Sequence, residues 1–380
     1  MAYNYLFPQK IIFENDSISK IGQIIKKVCP DPLILAGGSS LKKSGNYENI
    51  LSSLTKETIN YKEFDGIKAE PTPEIIDEVT EFCVLNNIKS IVAIGGGSVI
   101  DTGKAAAGLV TNEKGVENYL EGVGKNFKLV NDPLPFVAVP TTAGSGAEAT
   151  KNSVVTSKSK KYKKSFRDDR LVAKIIIVDP MLTLTIPKKE SAYCGMDAIC
   201  QLTESYVSKK RSPYTMALSA YYIPRALKAI SNIFENPDDI SARTTMIEAS
   251  LASGICLTNS GLGAVHGFAS GLGGMFDIPH GLICAVLLPG VCKINSEKDK
   301  LIYKDLADIV NQNNTNDIDR FINNLYELNK KLNIPDNFKA FSISIDDSHE
   351  IVARSKGSSM SGNPVEIGDN EWVEFIKRFL

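Results

Sequence analysis

Histidine is scarce in this chain, and its placement is the first chemical signal. Of the three, His266 and His280 sit in glycine-rich apolar segments, GLGAVHGFASGLGG and FDIPHGLICAVLLP, whereas His349 stands in the polar run DDSHEI and reads as a surface residue. Upstream, GMDAICQ sets Asp197 and Gln201 four residues apart, hence on one helical face. One carboxylate and two imidazoles, from Asp197, His266 and His280, make a donor set suited to Zn2+ or Fe2+ with positions left open for water or substrate. From the residues alone, a pair of buried core histidines fits these segments equally well.

Two loops point to a phosphate-bearing ligand. IGGGSVID (94–101) follows an apolar run and opens a helix predicted over Val99–Val110. Its glycines let backbone approach a ligand closely, and the free N–H groups of a helix start favour an anion such as pyrophosphate. The spacing is not the GxGxxG of the common dinucleotide fingerprint, so a tight connection is the competing reading. PTTAGSGAE (140–148) follows the run FVAV. Small hydroxylated residues at a strand's carboxyl end line phosphates or riboses in open α/β sheets.

Such loops need a sheet to carry them. Residues 1–185 alternate helical stretches with the runs PLILA (32–36), SIVAI (90–94), PFVAV (135–139) and KIIIV (174–178), which predicts a parallel sheet covered on both faces. SVVTSKSKKYKKSF (153–166) fits an exposed hairpin better than a nucleic-acid patch. From about Pro187 the spacing becomes helical throughout, as in Thr215–Phe234 and Ala242–Leu257. The expected fold is therefore an α/β domain over 1–185 that carries both phosphate-type loops and an all-α domain over 186–380 that carries the histidines. The boundary falls in an extended stretch at Asp179–Pro187, and the site lies in the cleft between domains.

Length and charge bound the partners. At 380 residues there is room for two domains, and 43 Lys+Arg against 44 Asp+Glu leave no field to attract nucleic acid or anionic lipid. No apolar run approaches membrane-spanning length and no secretory leader is evident, so a cytoplasmic setting is expected. Seven scattered cysteines without a CxxC pair predict neither a disulfide framework nor a zinc ribbon, but small buried side chains.

With these segments in hand, the chain resembles the iron-containing (group III) alcohol dehydrogenases over nearly its whole length. The matching strings are GGGSVIDTGKA, PTTAGSGAEAT, IVDPMLTLTIP, CGMDAICQLTESY, GLGAVHGFASGLGG and IPHGLICAVLLPGV. The resemblance implies a Rossmann-like N-terminal domain that binds the dinucleotide and a helical C-terminal domain that holds metal and substrate, the two-domain plan shared with dehydroquinate synthase. It also implies a divalent metal, Fe2+ or Zn2+, beside the nicotinamide, and a dimer in which the strand-like Tyr3–Phe13 pairs across the interface. Gly95, Gly96, Gly97, Ser98 and Asp101 would meet the pyrophosphate. Thr141, Thr142 and Ser145 would line the phosphates and nicotinamide, and Lys164 would reach the ribose. Asp197, His266 and His280 match metal ligands. The expected reaction is hydride transfer between NAD(P)H and a small alcohol–aldehyde pair.

Two departures stand out. Gln201 occupies the position of a usual fourth ligand, histidine, which leaves it a weak ligand or a partner of bound water. Ser270 stands where many members carry a second imidazole, so proton delivery falls to Ser270, water or the ribose hydroxyl. The string SSMSGNP (358–364) is similar to the maleylacetate reductases, which keeps a metal-independent carbonyl reductase as the alternative. A sugar-phosphate cyclase-type lyase and a non-catalytic binding protein are weaker rivals. After the first strand, AGGSSLKK (36–43) lacks an acid, and Gly37, Ser39 and Ser40 with the nearby lysines suit NADP in preference to NAD. Leu257–Gly263, Phe268 and Met275 are candidate pocket residues whose helical spacing suits core equally.

Overall fold

The computed structural model describes residues 3–380 apart from 38, 68, 69, 114 and 313–315; the side chains of Ser39 and Ser40, two of the expected cofactor residues, also lie outside the described residues. Strands β1 (Lys10–Phe13), β2 (Pro32–Gly37), β3 (Lys62–Ile67), β4 (Ser90–Gly95) and β5 (Phe136–Pro140) precede an antiparallel hairpin, β6 (Asn152–Ser157) and β7 (Tyr162–Arg167), and then β8 (Ile175–Val178). All but the hairpin join in one parallel sheet, ordered β1-β8-β5-β4-β2-β3. Between them run α1 (Ile21–Ile25), α2 (Ser39–Lys43), α3 (Asn46–Lys56), α4 (Pro73–Leu85) and α5 (Gly97–Leu109).

Strand periodicity decides which helices cover which face. Leu33, Leu35, Ile91, Ala93, Phe136 and Ala138 pack with Val79 and Cys83 of α4 and Ile100 and Ala106 of α5. The alternate residues Ile34, Ala36, Val92, Ile94, Val137 and Val139 pack with Ile21, Ile25, Ile50 and Leu54 of α1 and α3. The chain leaves β2 towards β3 on one side and β4 towards β5 on the other. The carboxyl ends of β2 and β4 therefore flank the crevice where such sheets bind ligands.

The helical half comprises α6 (Lys188–Val207), α7 (Pro213–Glu235), α8 (Ile240–Ser260), α9 (Ala264–Met275), α10 (His280–Lys298), α11 (Lys300–Asn311), α12 (Ile318–Lys331), α13 (Ser348–Ser355) and α14 (Asp369–Lys377). Helix α6 packs against α7, α8 and α10, and every residue from Gly195 to Val207 is buried. Polar groups on that stretch must find protein partners, because burial without one is costly.

The loop after β5 joins the halves. Gly146 takes a left-handed φ of 59°, and a Cβ there would lie 2.5 Å from Ser250 O and Gly254 N. A Cβ on Gly254 would in turn meet Gly146 O at 2.1 Å, so backbone rests on backbone. From the other side the fully buried Lys104 donates from Nζ to Ala147 O (2.7 Å), Thr150 Oγ1 (2.8 Å) and Asn152 O (2.7 Å).

Several expectations change. The four apolar runs are β2, β4, β5 and β8, but β3 escaped notice because KEFDGI is a polar edge strand. The segment 153–166 does form a hairpin, yet it is not exposed: Ser153, Val155 and Phe166 are buried, and β6 lies on α5 while β7 lies on α9. Residues 180–185 form a 3-10 helix, not an extended stretch, with Asp179 accepting from Met181 N at its start. Helix α5 begins two residues early, at Gly97. The N-terminal strand covers only Lys10–Phe13 and pairs with β8 of its own chain.

Candidate active site

A cavity of about 910 Å³ opens between the carboxyl ends of the strands and the helical half. Gly97, Ser98, Thr142, Ser145 and Lys164 line one side; Asp197, Gln201, His266, Ser270 and His280 line the other.

Three helices bring the metal-type donors together. Asp197 projects from the buried middle of α6, His266 from the first turn of α9, and His280 is the first residue of α10, directly after Pro279. Asp197 Oδ1 lies 3.1 Å from His266 Nε2 and 3.6 Å from His280 Nε2. His266 Nδ1 meets Glu204 Oε2 at 2.6 Å, while Glu204 Oε1 accepts the Val265 N–H at 2.7 Å. One carboxylate thus caps α9 and orients the ring, leaving Nε2 to face the cluster. A Cβ at Gly263 would lie 2.7 Å from Glu204 Oε1, so the glycine before α9 admits this carboxylate.

Cys284, one turn beyond His280 on α10, completes the cluster. Its Sγ lies 3.8 Å from His266 Nε2 and 3.8 Å from His280 Nε2, and Asp197, His266, His280 and Cys284 all present ligand atoms within 4.8 Å of one another. Burial opposes charge on this thiol, but its hydrogen bond with Cys200 and the adjacent His266 and His280 bring it well below the ordinary thiol range. Burial likewise opposes charge on His266, yet Cys284, Asp197 and Glu204 hold that ring well above the usual imidazole range. A carboxylate, two imidazoles and a thiol that present ligand atoms within 4.8 Å of one another are a set that a dication fits.

The remaining expected residues divide by location. Gln201 Oε1 accepts from Ser253 Oγ at 2.7 Å, and its Nε2 donates to Ser145 O at 3.2 Å, so both ends of the amide join α6 to α8 and the second loop. Ser270 Oγ donates to Lys163 O at 2.9 Å, pinning β7 to α9. Asp101 is buried, and its carboxylate accepts from Val154 N at 3.0 Å, anchoring the hairpin to α5. A Cβ on Gly37 or Gly95 would collide with Val99 of α5 at 2.1 or 2.5 Å, which makes these two glycines packing positions behind the cavity wall. Gly96 lies against Thr142, and Thr141 N donates to Gly95 O, so the two loops support each other. Phe268 packs in the core on Trp372, whereas Leu257 and Leu262 line the cavity. His349 is exposed, as expected.

Sequence reasoning missed Glu204, Cys284, Lys104 and the pair Lys163–Glu70, whose Nζ and Oε1 are 2.5 Å apart at the cavity wall. Glu204 stands seven residues after Asp197 on the same face of α6, and that spacing was the available signal.

Comparison with known proteins agrees with this architecture. The family profile described as iron-containing alcohol dehydrogenase matches residues 8–180, and that of the Fe-containing alcohol dehydrogenase family, C-terminal, matches residues 191–380. An NADPH-dependent butanol dehydrogenase of Clostridium saccharobutylicum is 29% identical over 98% of this chain and 97% of its own length. A 1,3-propanediol dehydrogenase of Citrobacter freundii is 31% identical over 82% of this chain and 80% of its own. Among solved structures, an alcohol dehydrogenase from Oenococcus oeni superposes over 100% of both chains with a TM-score of 0.92 at 30% identity.

Proposed function

Because the chain belongs to the iron-containing alcohol dehydrogenase family and so catalyses NAD(P)-dependent alcohol–aldehyde interconversion, we propose that Asp197, His266 and His280 hold its divalent metal and that small primary alcohols or aldehydes are its substrates. The relatives do not favour the maleylacetate reductase, lyase or binding-protein alternatives. The observation that carries this reading is the convergence of Asp197 Oδ1, His266 Nε2 and His280 Nε2 at the cavity wall opposite the glycine loop. When bound, the metal supplies a Lewis acid to polarise the carbonyl, and NAD(P)H supplies the hydride.

The chain's own groups arrange the rest. Glu204 would keep the His266 proton on Nδ1, so that Nε2, on giving up its own proton to metal binding, turns its lone pair to the cluster. The first turn of α5, with Gly97 and Ser98, would hold the cofactor's pyrophosphate at its positive end, with Thr142 and Ser145 beside it and Lys164 placed for the ribose. Leu257 and Leu262 line the same cavity and would give the substrate an apolar wall. Ser270 Oγ already donates its proton to Lys163 O, which favours water or the ribose hydroxyl over the side chain at 270 as the acceptor of the alcohol proton.

NADP(H) is the preferred cofactor in this reading. The stretch 36–43 has no carboxylate, Lys43 is exposed, and Lys42 pairs with Asp65 at 2.6 Å. The setting is a cytoplasmic homodimer, supported by the near-zero net charge and by β1 at the sheet edge. No helix among the described residues is long and apolar enough to cross a membrane.

The test is steady-state kinetics of Asp197→Asn and His280→Ala beside NADPH titration by fluorescence. Turnover should fall about 100-fold or more while the NADPH dissociation constant moves only a few-fold. Undiminished turnover in both variants would reject the assignment.

A further inference from the structure

We infer that the fourth protein donor to the metal is the thiolate of Cys284 rather than the amide of Gln201, and that this donor set favours zinc over iron. The inference rests on the metal-centred reading above and deepens it. Gln201 is already held at both ends, its oxygen by Ser253 Oγ at 2.7 Å and its nitrogen by Ser145 O at 3.2 Å. Cys284 Sγ, by contrast, stands 3.8 Å from Nε2 of both His266 and His280.

Those separations are what one ion would require. Zinc bonds of about 2.3 Å to sulfur and 2.0–2.1 Å to nitrogen, at near-tetrahedral angles, put the two ligand atoms about 3.6 Å apart, and expansion to five-coordination would admit the substrate oxygen. Nitrogen and oxygen donors would stand about 3.3 Å apart, between the observed 3.1 and 3.6 Å from Asp197 Oδ1 to the two imidazoles. The other buried group of potential ligands, Cys200, Glu204 and His266, faces Nδ1 of His266, which Glu204 occupies at 2.6 Å. Cys200 Sγ, too, stands 3.8 Å from that Nδ1. Replacing a histidine position by an amide that turns away and recruiting a thiolate from the neighbouring helix softens the site. Thiolate donors select zinc among the divalent ions, and zinc already outranks Fe2+ in intrinsic affinity.

The experiment is to load the full-length protein with Co2+ and with Zn2+, record the near-ultraviolet spectrum of the first and the X-ray absorption fine structure of the second, and repeat both on Cys284→Ser and Gln201→Ala. We expect a thiolate-to-cobalt charge-transfer band and one sulfur at about 2.3 Å. Both should survive in Gln201→Ala and vanish in Cys284→Ser, whose Zn2+ affinity should drop by more than about 100-fold, beyond the loss typical of an outer partner. A shell of nitrogen and oxygen alone in the unaltered protein would overturn the inference and leave the metal-centred reading standing. So would a band that persists in Cys284→Ser. A protein that takes up neither ion would overturn both.

Discussion

Glu204 shows how one side chain can serve structure and chemistry together. Its two oxygens accept from Val265 N and from His266 Nδ1, both in donor-to-acceptor directions that only a carboxylate satisfies at once. Glu204→Gln would turn an amide N–H towards one of these donors. We expect metal affinity, measured against a competing chelator, to fall about 10–100-fold with helix content retained; unchanged affinity would contradict the role. A second residue links burial to pH. Glu148 is buried with Oε1 unpartnered among the described residues, and burial pushes its carboxyl from 4.5 up to about 7. A raised native value means the folded protein holds this proton more tightly than the unfolded chain does. The resulting stability is full below the unfolded value of 4.5 and is lost as the pH rises through about 7, an effect on the order of 3 kcal/mol. Glu148→Gln should therefore gain on the unaltered protein between about pH 5 and pH 8 in melting temperature; an equal difference at both values would contradict this. Asp197, His266 and His280 were legible in the sequence because histidine is rare here and the flanking strings are distinctive. Glu204 and Cys284 were not, since an acid on a helix reads as surface and a cysteine in an apolar run reads as core.

The loop between β5 and β6 is the element on which the cleft depends. Lys104 holds it from α5 through three hydrogen bonds, and Gly146 lays its backbone on Gly254 of α8. A methyl group at 254 would meet Gly146 O at 2.1 Å, whereas one at Gly368 would meet nothing within 4 Å. Gly254→Ala should thus destabilise by about 1–3 kcal/mol and weaken NADPH binding, because the loop that carries Thr142 and Ser145 must shift. Gly368→Ala provides the neutral comparison, and equal melting temperatures and cofactor affinities for the two variants would contradict the contact. Local sequence announced the regular parts of this architecture: four apolar runs became four central strands, and the helical spacing of 215–234 and 242–257 falls within α7 and α8. It could not announce β3, whose charged residues suit an edge, nor the burial of the hairpin, whose lysines conceal an inner face bearing Val155 and Phe166.

At the scale of the whole molecule, the sheet carries the two glycine-containing loops and the helical half carries Asp197, His266 and His280, so the proposed reaction belongs to the cavity that both line. That division explains why the donors are far apart in sequence, at 197, 266 and 280, yet converge within a few ångströms: α6 is sheathed by α8 and α10, and α9 starts on the Glu204 carboxylate. The α/β half and the helical half were both readable from periodicity. Their contact was not, because it depends on small residues and buried polar atoms that have no period. The most direct measurement of the central claim is the metal content of the purified protein together with NADPH- and NADH-driven reduction of short aldehydes, before and after chelation. The account predicts about one divalent ion per chain. It also predicts faster turnover with NADPH than with NADH, with activity lost on chelation and restored by added metal. Full turnover by a metal-free protein would contradict it.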